Sequence, residues 1–167
     1  MKIGRWLRDH PRLLERAYAS THSAFKRLDP LLQKFGYEKS DAWLRRPEEW
    51  GNQLMFDCRM CGQCVRHSTG MTCPMTCPKN LRNGPCGGVR ENGHCEVKPE
   101  MRCVWVEAFE RSQEMSTYGD EIMLIQPPVN RQLEGSSAWV IMLTGVDKKA
   151  PKGWVPTAQI AVEVREP

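Results

Sequence analysis

All eight cysteines of this 167-residue chain fall between positions 58 and 103, at Cys58, Cys61, Cys64, Cys73, Cys77, Cys86, Cys95 and Cys103. The same stretch holds Pro74, Pro78, Pro85 and Pro99 and has no large aliphatic residues at a helical or strand period. Such a segment cannot bury an ordinary apolar core, so something else must organise it. The N-terminus meets Asp9 and Pro11 before any signal-peptide core forms, and no apolar run approaches the roughly 18 residues that span a bilayer. A cytoplasmic location without membrane insertion is therefore expected. In that reducing compartment dense cysteine points to metal rather than disulfides.

Cys58-Arg-Met-Cys61-Gly-Gln-Cys64 places three thiolates at successive three-residue spacing. That spacing wraps three corners of an iron–sulfur cubane, whose fourth ligand is commonly a remote cysteine followed by proline. Cys73-Pro74 and Cys77-Pro78 both have that form. Gly87 and Gly88 beside Cys86 would let backbone approach a bulky inorganic core. Cys95 follows Asn92-Gly93, a pair suited to a type I′ hairpin turn between Gly-Val-Arg and His-Cys-Glu-Val. Cys103 stands near a helix start, where the helix dipole favours thiolate.

Eight cysteines match two [4Fe–4S] clusters with none left over, and all eight are candidate metal and cofactor ligands. Cys58, Cys61 and Cys64 are expected to share one site with Cys77 or Cys103, the others forming the second. Two oxidised clusters would bring about −4, offsetting the formal net charge of +4. Zinc in one or both sites is the rival reading, with Cys58/Cys61 and Cys73/Cys77 as two knuckles. That reading leaves Cys64 unexplained. His67 or His94 could complete a mixed site, against the plainer reading of a polar loop histidine.

The composition divides the chain into an N-terminal helical segment (1–56), a cysteine-rich metal domain (57–113) and a β-rich extension (114–167). After Pro11, Leu14, Ala17, Tyr18, Phe25, Leu28, Leu31 and Leu32 keep helical spacing; Pro30 is expected to kink or end this helix and Gly36 to close it. Ser40 or Asp41 would cap a short second helix, and Pro47 would open a third through Trp50, Leu54 and Met55. A further helix is expected from about Cys103 to Ser112. Glu121–Ile125, Ala138–Thr144 and Thr157–Val164 read as short strands. The fold class expected is α+β: N-terminal helices, an irregular metal-centred region and short antiparallel C-terminal strands.

Residues 1–50 hold eleven Lys or Arg against seven acidic residues. A solvated helix face explains them most simply, and a docking surface for an acidic partner is the sharper reading. Asp9, Glu15 and Asp29 interrupt any nucleic-acid patch, so no nucleic-acid partner is expected. Gly84-Pro85-Cys86-Gly87-Gly88 lacks the Lys-Ser/Thr of a phosphate loop. Glu107 and Glu110 read as solvated helix residues, and Met55, Met60, Met71, Met75 and Met101 as soft packing around the cysteines. Trp105 is placed to shield a cluster from water.

The run from Cys58 through Cys64, Thr69-Gly-Met-Thr-Cys-Pro-Met-Thr-Cys-Pro-Lys-Asn-Leu-Arg-Asn-Gly-Pro-Cys-Gly-Gly-Val89, Cys95-Glu-Val-Lys-Pro and Cys103-Val-Trp resembles the cysteine-rich domain associated with methylenetetrahydrofolate reductase, found fused to that flavoenzyme or as a separate small subunit (the MetV type). The likeness covers about residues 37–111. It implies an iron–sulfur electron-transfer subunit that draws on an unidentified donor and passes electrons to the flavin (FMN or FAD) of a partner reductase forming 5-methyltetrahydrofolate. Folate and flavin would bind in the partner, leaving this chain a non-catalytic subunit of an oxidoreductase in one-carbon metabolism. Family members are discussed as iron–sulfur and as zinc proteins, so a structural zinc-binding subunit is the alternative.

Overall fold

Pro11, whose missing N–H costs nothing in a first helical turn, opens helix α1 (Pro11–Phe35) in the computed structural model, which describes residues 6–149. Gly36, at φ +96°, ends it, and its N–H returns to the carbonyls of Leu32 and Gln33. The chain re-enters a helix at once, α2 (Tyr37–Phe56). The Tyr37 hydroxyl donates to Asp29 at 2.7 Å and fastens the two helices across this corner.

Both helices run through their prolines. Of the two outcomes expected at Pro30, a kink or an end, the helix does not end there, and Pro47 opens no separate helix, contrary to expectation. The two prolines lie on exposed faces, so the carbonyl that each deprives of a donor can turn to water. Nor does Ser40 cap a helix: it lies in the first turn of α2 and its hydroxyl donates back to the carbonyl of Gly36, the residue before the helix.

Helix α3 (Val104–Ser112) starts where the sequence places it, with Cys103 as its N-cap residue. The expected C-terminal strands do not form. Among the described residues there is no sheet, and the only β pairings are the isolated bridges Val89–Cys95 and His94–Arg102. Gly119–Met123 is a 3₁₀ turn, and Ala138–Thr144 is a helix, α4. Thr157–Val164 lies outside the described residues.

The reason for α4 is a cap that apolar periodicity does not reveal. The Ser137 hydroxyl accepts from Val140 N–H and donates to Glu48 at 2.5 Å, while Glu48 also accepts from Ala138 N–H. Asp41 accepts from Ser137 N–H at 2.6 Å, and Gly145 (φ +68°) closes the far end. A short apolar run with no neighbouring strand satisfies its own backbone only as a helix. The 90–93 turn also differs from expectation. Arg90 C=O accepts from Gly93 N–H and only Gly93 is left-handed, whereas a type I′ turn would need Asn92 left-handed too.

The core is small and built on sulfur and aromatic groups. Leu14, Phe56, Met71 and Met115 pack together under Tyr18 and Tyr118; Cys103, Trp105 and Ala108 form a second nucleus. A buried carboxylate joins α1 to the segment after α3. Glu15, 2% exposed, accepts from the N–H groups of Ser116, Thr117 and Tyr118 and from the Ser116 hydroxyl, at 2.7–3.2 Å. Burial pushes this acid up, and the converging N–H donors outweigh it, so Glu15 sits below its ordinary 4.5. A depressed carboxyl contributes stability above pH 4.5 and loses it as pH falls through the folded value. Glu15→Gln is expected to cost about 1–3 kcal/mol at pH 7. In denaturant melts its deficit against the unaltered chain should shrink below pH 4.

Candidate metal centre

Helix α2 ends with Asp57 in the left-handed region (φ 52°), its N–H bonded to the Gln53 carbonyl. Met60 (φ 45°) and Gly62 (φ 73°) follow in the same region, so the chain coils tightly between Cys58 and Cys64. Met60 N–H points at the Cys58 sulfur, 3.4 Å away. The loop is held from outside by the tail: Gly135 N–H donates to Met60 C=O at 2.7 Å, and Gly62 lies against the Leu133 carbonyl. A Cβ on Gly62 would come within 2.2 Å of that oxygen.

After Cys64 the chain makes a 3₁₀ turn (Arg66–Thr69) that stops at Gly70. There the backbone passes so close to α3 that a Cβ would reach 2.3 Å from the Ala108 carbonyl. The buried Thr69 hydroxyl stitches this bend, donating to Thr72 C=O at 2.7 Å. The chain thus returns at Cys73, which begins a second 3₁₀ turn (Pro74–Thr76).

Four thiols converge as a result. Cys58, Cys61, Cys64 and Cys73 all line one cavity of about 400 Å³ counting its open mouth. The set combines the three-residue spacing with the Cys-Pro ligand, and takes Cys73 rather than the expected Cys77 or Cys103. The Cys58 and Cys73 thiols stand close enough to share a proton, which holds Cys58 up and Cys73 down. Burial raises Cys61, whose thiol donates to the Gln63 carbonyl. The side chains are near one another without being closed on a point: among the described residues no group of three or more His, Cys, Asp or Glu stands at metal-ligating spacing.

Two buried guanidiniums share the cavity. Arg66, 8% exposed, donates Nε–H to Cys64 Sγ at 3.2 Å and lies 4.2 Å over the Phe56 ring. Burial opposes its charge, and the sulfurs of Cys64, Cys58 and Cys73 outweigh the burial, so its pKa is raised. Arg82 donates to Gln63 C=O at 3.0 Å. Arg66 Nη1 and Arg82 Nε and Nη1 are buried donors without partners. Unpaired buried cations are costly, and a group of four thiolates carrying net negative charge is the counterpart they lack. On donor chemistry and on charge the residues fit an anionic metal–thiolate centre. Zinc in four thiolates and an oxidised [4Fe–4S] centre both carry about −2, so the arginines suit the class and do not choose between the two.

The other four cysteines are less gathered. The 94–102 pairing brings the Cys95 and Cys103 strands together, through Cys95 N–H to Met101 C=O and Cys103 N–H to Gly93 C=O. Cys77 is buried beside a groove that also reaches Cys58 and Cys61. Cys86 lies near Lys79, which is itself bonded to Glu96. The space beside Gly87 is open, whereas Gly88 is covered by the Glu96 carboxylate. Neither histidine joins a ligating group: His67 stacks on Tyr18 and pairs with Glu121, and His94 Nδ1 bonds the Pro99 carbonyl. Trp105 packs its face against Gly84 within the Cys103 nucleus. Met60, Met71 and Met75 are buried, as soft packing requires.

The family described as Methylene-tetrahydrofolate reductase C terminal matches residues 37–132, more than half of the chain and all eight cysteines. The chain belongs to this methylenetetrahydrofolate reductase C-terminal family. Neither the comparison with curated proteins nor that with solved structures produced a match. The family region also includes Arg66, Arg82 and Gln63, which sequence reading passed over. Arg66 stands two residues after a candidate ligand, the one local signal that could have drawn attention to it. Gln63 ties the site to the tail, accepting from Asn130 N–H at 2.7 Å and donating to Asp147 C=O. Gly135 and Ser137, which brace the family region from outside, lie beyond the match.

Gly62→Ala combines a left-handed backbone with a backbone clash and is expected to cost at least about 2 kcal/mol. Gly51→Ala, in open space within α2, should stabilise by about 0.5–1 kcal/mol. Thermal melts of both variants check this pair.

Proposed function

We propose that this chain is the iron–sulfur electron-transfer subunit of a methylenetetrahydrofolate reductase, delivering electrons to the flavin of a partner flavoprotein that forms 5-methyltetrahydrofolate. The observation that carries the reading is the convergence of Cys58, Cys61, Cys64 and Cys73 on one cavity with two buried, underpaired arginines. Family membership supplies the reductase. Cys77, Cys86, Cys95 and Cys103 would hold a second group.

A bound [4Fe–4S] group supplies one-electron chemistry without proton transfer. The polypeptide's part is to hold four thiolates and tune them. Met60 N–H at the Cys58 sulfur and Arg66 at the Cys64 sulfur both place positive charge on ligand sulfur, which favours added negative charge and raises the reduction potential. Met60, Met75 and Val65 are buried in the lining and give the inner side of the site an apolar wall, while Cys58 and Cys61 also reach an open groove. The reactions on folate need a flavin and a substrate pocket, which this reading assigns to the partner.

Anaerobically purified protein is expected to be brown, with absorbance near ~400 nm that bleaches on reduction, and to hold about eight iron when both sites fill. Cys73→Ser should remove about half of the iron and abolish flavin reduction in the partner while the partner still binds. A colourless chain with stoichiometric zinc, and a Cys73→Ser variant that loses the partner instead, would establish the structural zinc subunit in its place.

A further inference from the structure

Helix α2 divides its residues sharply by face. At 100° per residue, Lys39, Trp43, Arg46, Pro47, Trp50 and Leu54 fall on one side, and every one of them is exposed. Trp43 is 75% and Trp50 73% exposed, two largely uncovered indoles one heptad apart. No carboxylate of α2 lies within the stripe. Asp41 and Glu48 occupy the opposite side, where they cap α4. A solvated helix face would carry mixed charge and few large aromatics, whereas exposed tryptophans flanked by cations mark contact surfaces.

The stripe leads to the cysteines. Glu49 and Gln53, the next residues round the helix from Trp50 and Leu54, line a groove of about 1470 Å³ on which Cys58, Cys61 and Cys77 open. Across it stand Arg59, Lys98 and Arg131, the last paired with Glu134 at 3.7 Å. Stripe and groove together carry five cations against Glu49 and Glu134. The surface they complement is apolar at its centre and acidic around it.

We propose that the Trp43–Trp50 stripe and the adjoining groove are the docking face for the partner flavoprotein, whose contacting surface is apolar and acidic. The inference rests on the reading of the chain as that flavoprotein's electron-transfer subunit. Electron transfer weakens steeply with distance, so the partner must cover a mouth of the cysteine site, and this groove is such a mouth.

The test uses the full chain, purified anaerobically, with the methylenetetrahydrofolate reductase flavoprotein of the same organism as the probe and Kd measured at low and high salt. Trp43→Ala/Trp50→Ala is expected to weaken binding at least about 30-fold, as loss of central aromatic contacts does, with iron content and melting temperature unchanged. Lys39→Glu/Arg46→Glu should slow association and reduce its salt dependence. Leu31→Ala/Phe35→Ala, on exposed positions of α1, should leave Kd within about twofold. If the tryptophan variant loses iron, the charge-reversal variant decides.

Unchanged flavoprotein affinity in both α2 variants overturns the proposal. So does an α2 stripe that serves instead for binding vesicles of anionic phospholipid or for self-association, with flavoprotein affinity intact. An iron-free chain whose flavoprotein complex is broken by the α2 variants leaves the docking face standing and removes the electron-transfer reading. No binding by the unaltered chain removes both.

Discussion

A guanidinium buried between an aromatic ring and a cluster of thiols is the constraint around which the rest of this structure is arranged. Arg66 cannot leave its site without exposing Phe56, and cannot stay without negative charge near Cys64. The surrounding backbone answers that demand. The left-handed residues at 57, 60 and 62 and the bend at Gly70 bring Cys58, Cys61, Cys64 and Cys73 to one cavity beside it. Arg82 adds a second cation with two unpartnered donors. A segment with no regular secondary structure is thus organised by charge and sulfur where a larger domain would use aliphatic packing.

The helices act as clamps on that segment. Glu15 on α1 gathers three backbone N–H groups beyond α3, and Glu48 with Asp41 on α2 gathers the start of α4. Each clamp is a carboxylate accepting several donors, the stronger kind of hydrogen bond. Between them the tail is drawn across the cysteine loop, where Leu133 and Gly135 meet Gly62 and Met60. The side of α2 turned away from these clamps is left to its tryptophans, so one helix both closes the site and borders the groove that opens on it.

Much of the site was legible as a pattern. The Cys58-x₂-Cys61-x₂-Cys64 spacing is a local feature, and these three line one cavity; the fourth cysteine there is Cys73, where the sequence pointed to Cys77 or Cys103. The helical reading of α1 and α3 also rested on local periodicity and held. The strand reading of 138–144 failed because a short apolar run has the same composition in either state; the choice belonged to Ser137 and to two carboxylates some 90 positions away in the sequence. Pro30 and Pro47 misled for a related reason, since the cost of a proline inside a helix depends on whether the freed carbonyl reaches water.

What the sequence determined by itself was the inventory: eight cysteines in one stretch, three of them at successive three-residue spacing, two followed by proline, and a surplus of positive charge. Those follow from spacing and composition, which no fold can alter. The tertiary structure decided that Cys73 lines one cavity with the first three cysteines, which arginines stand beside them, and which face of α2 is left exposed. Each of these depends on where the chain returns after a turn. That is set by long-range packing and by carboxylate clamps whose partners lie too far apart in sequence for any local pattern to connect.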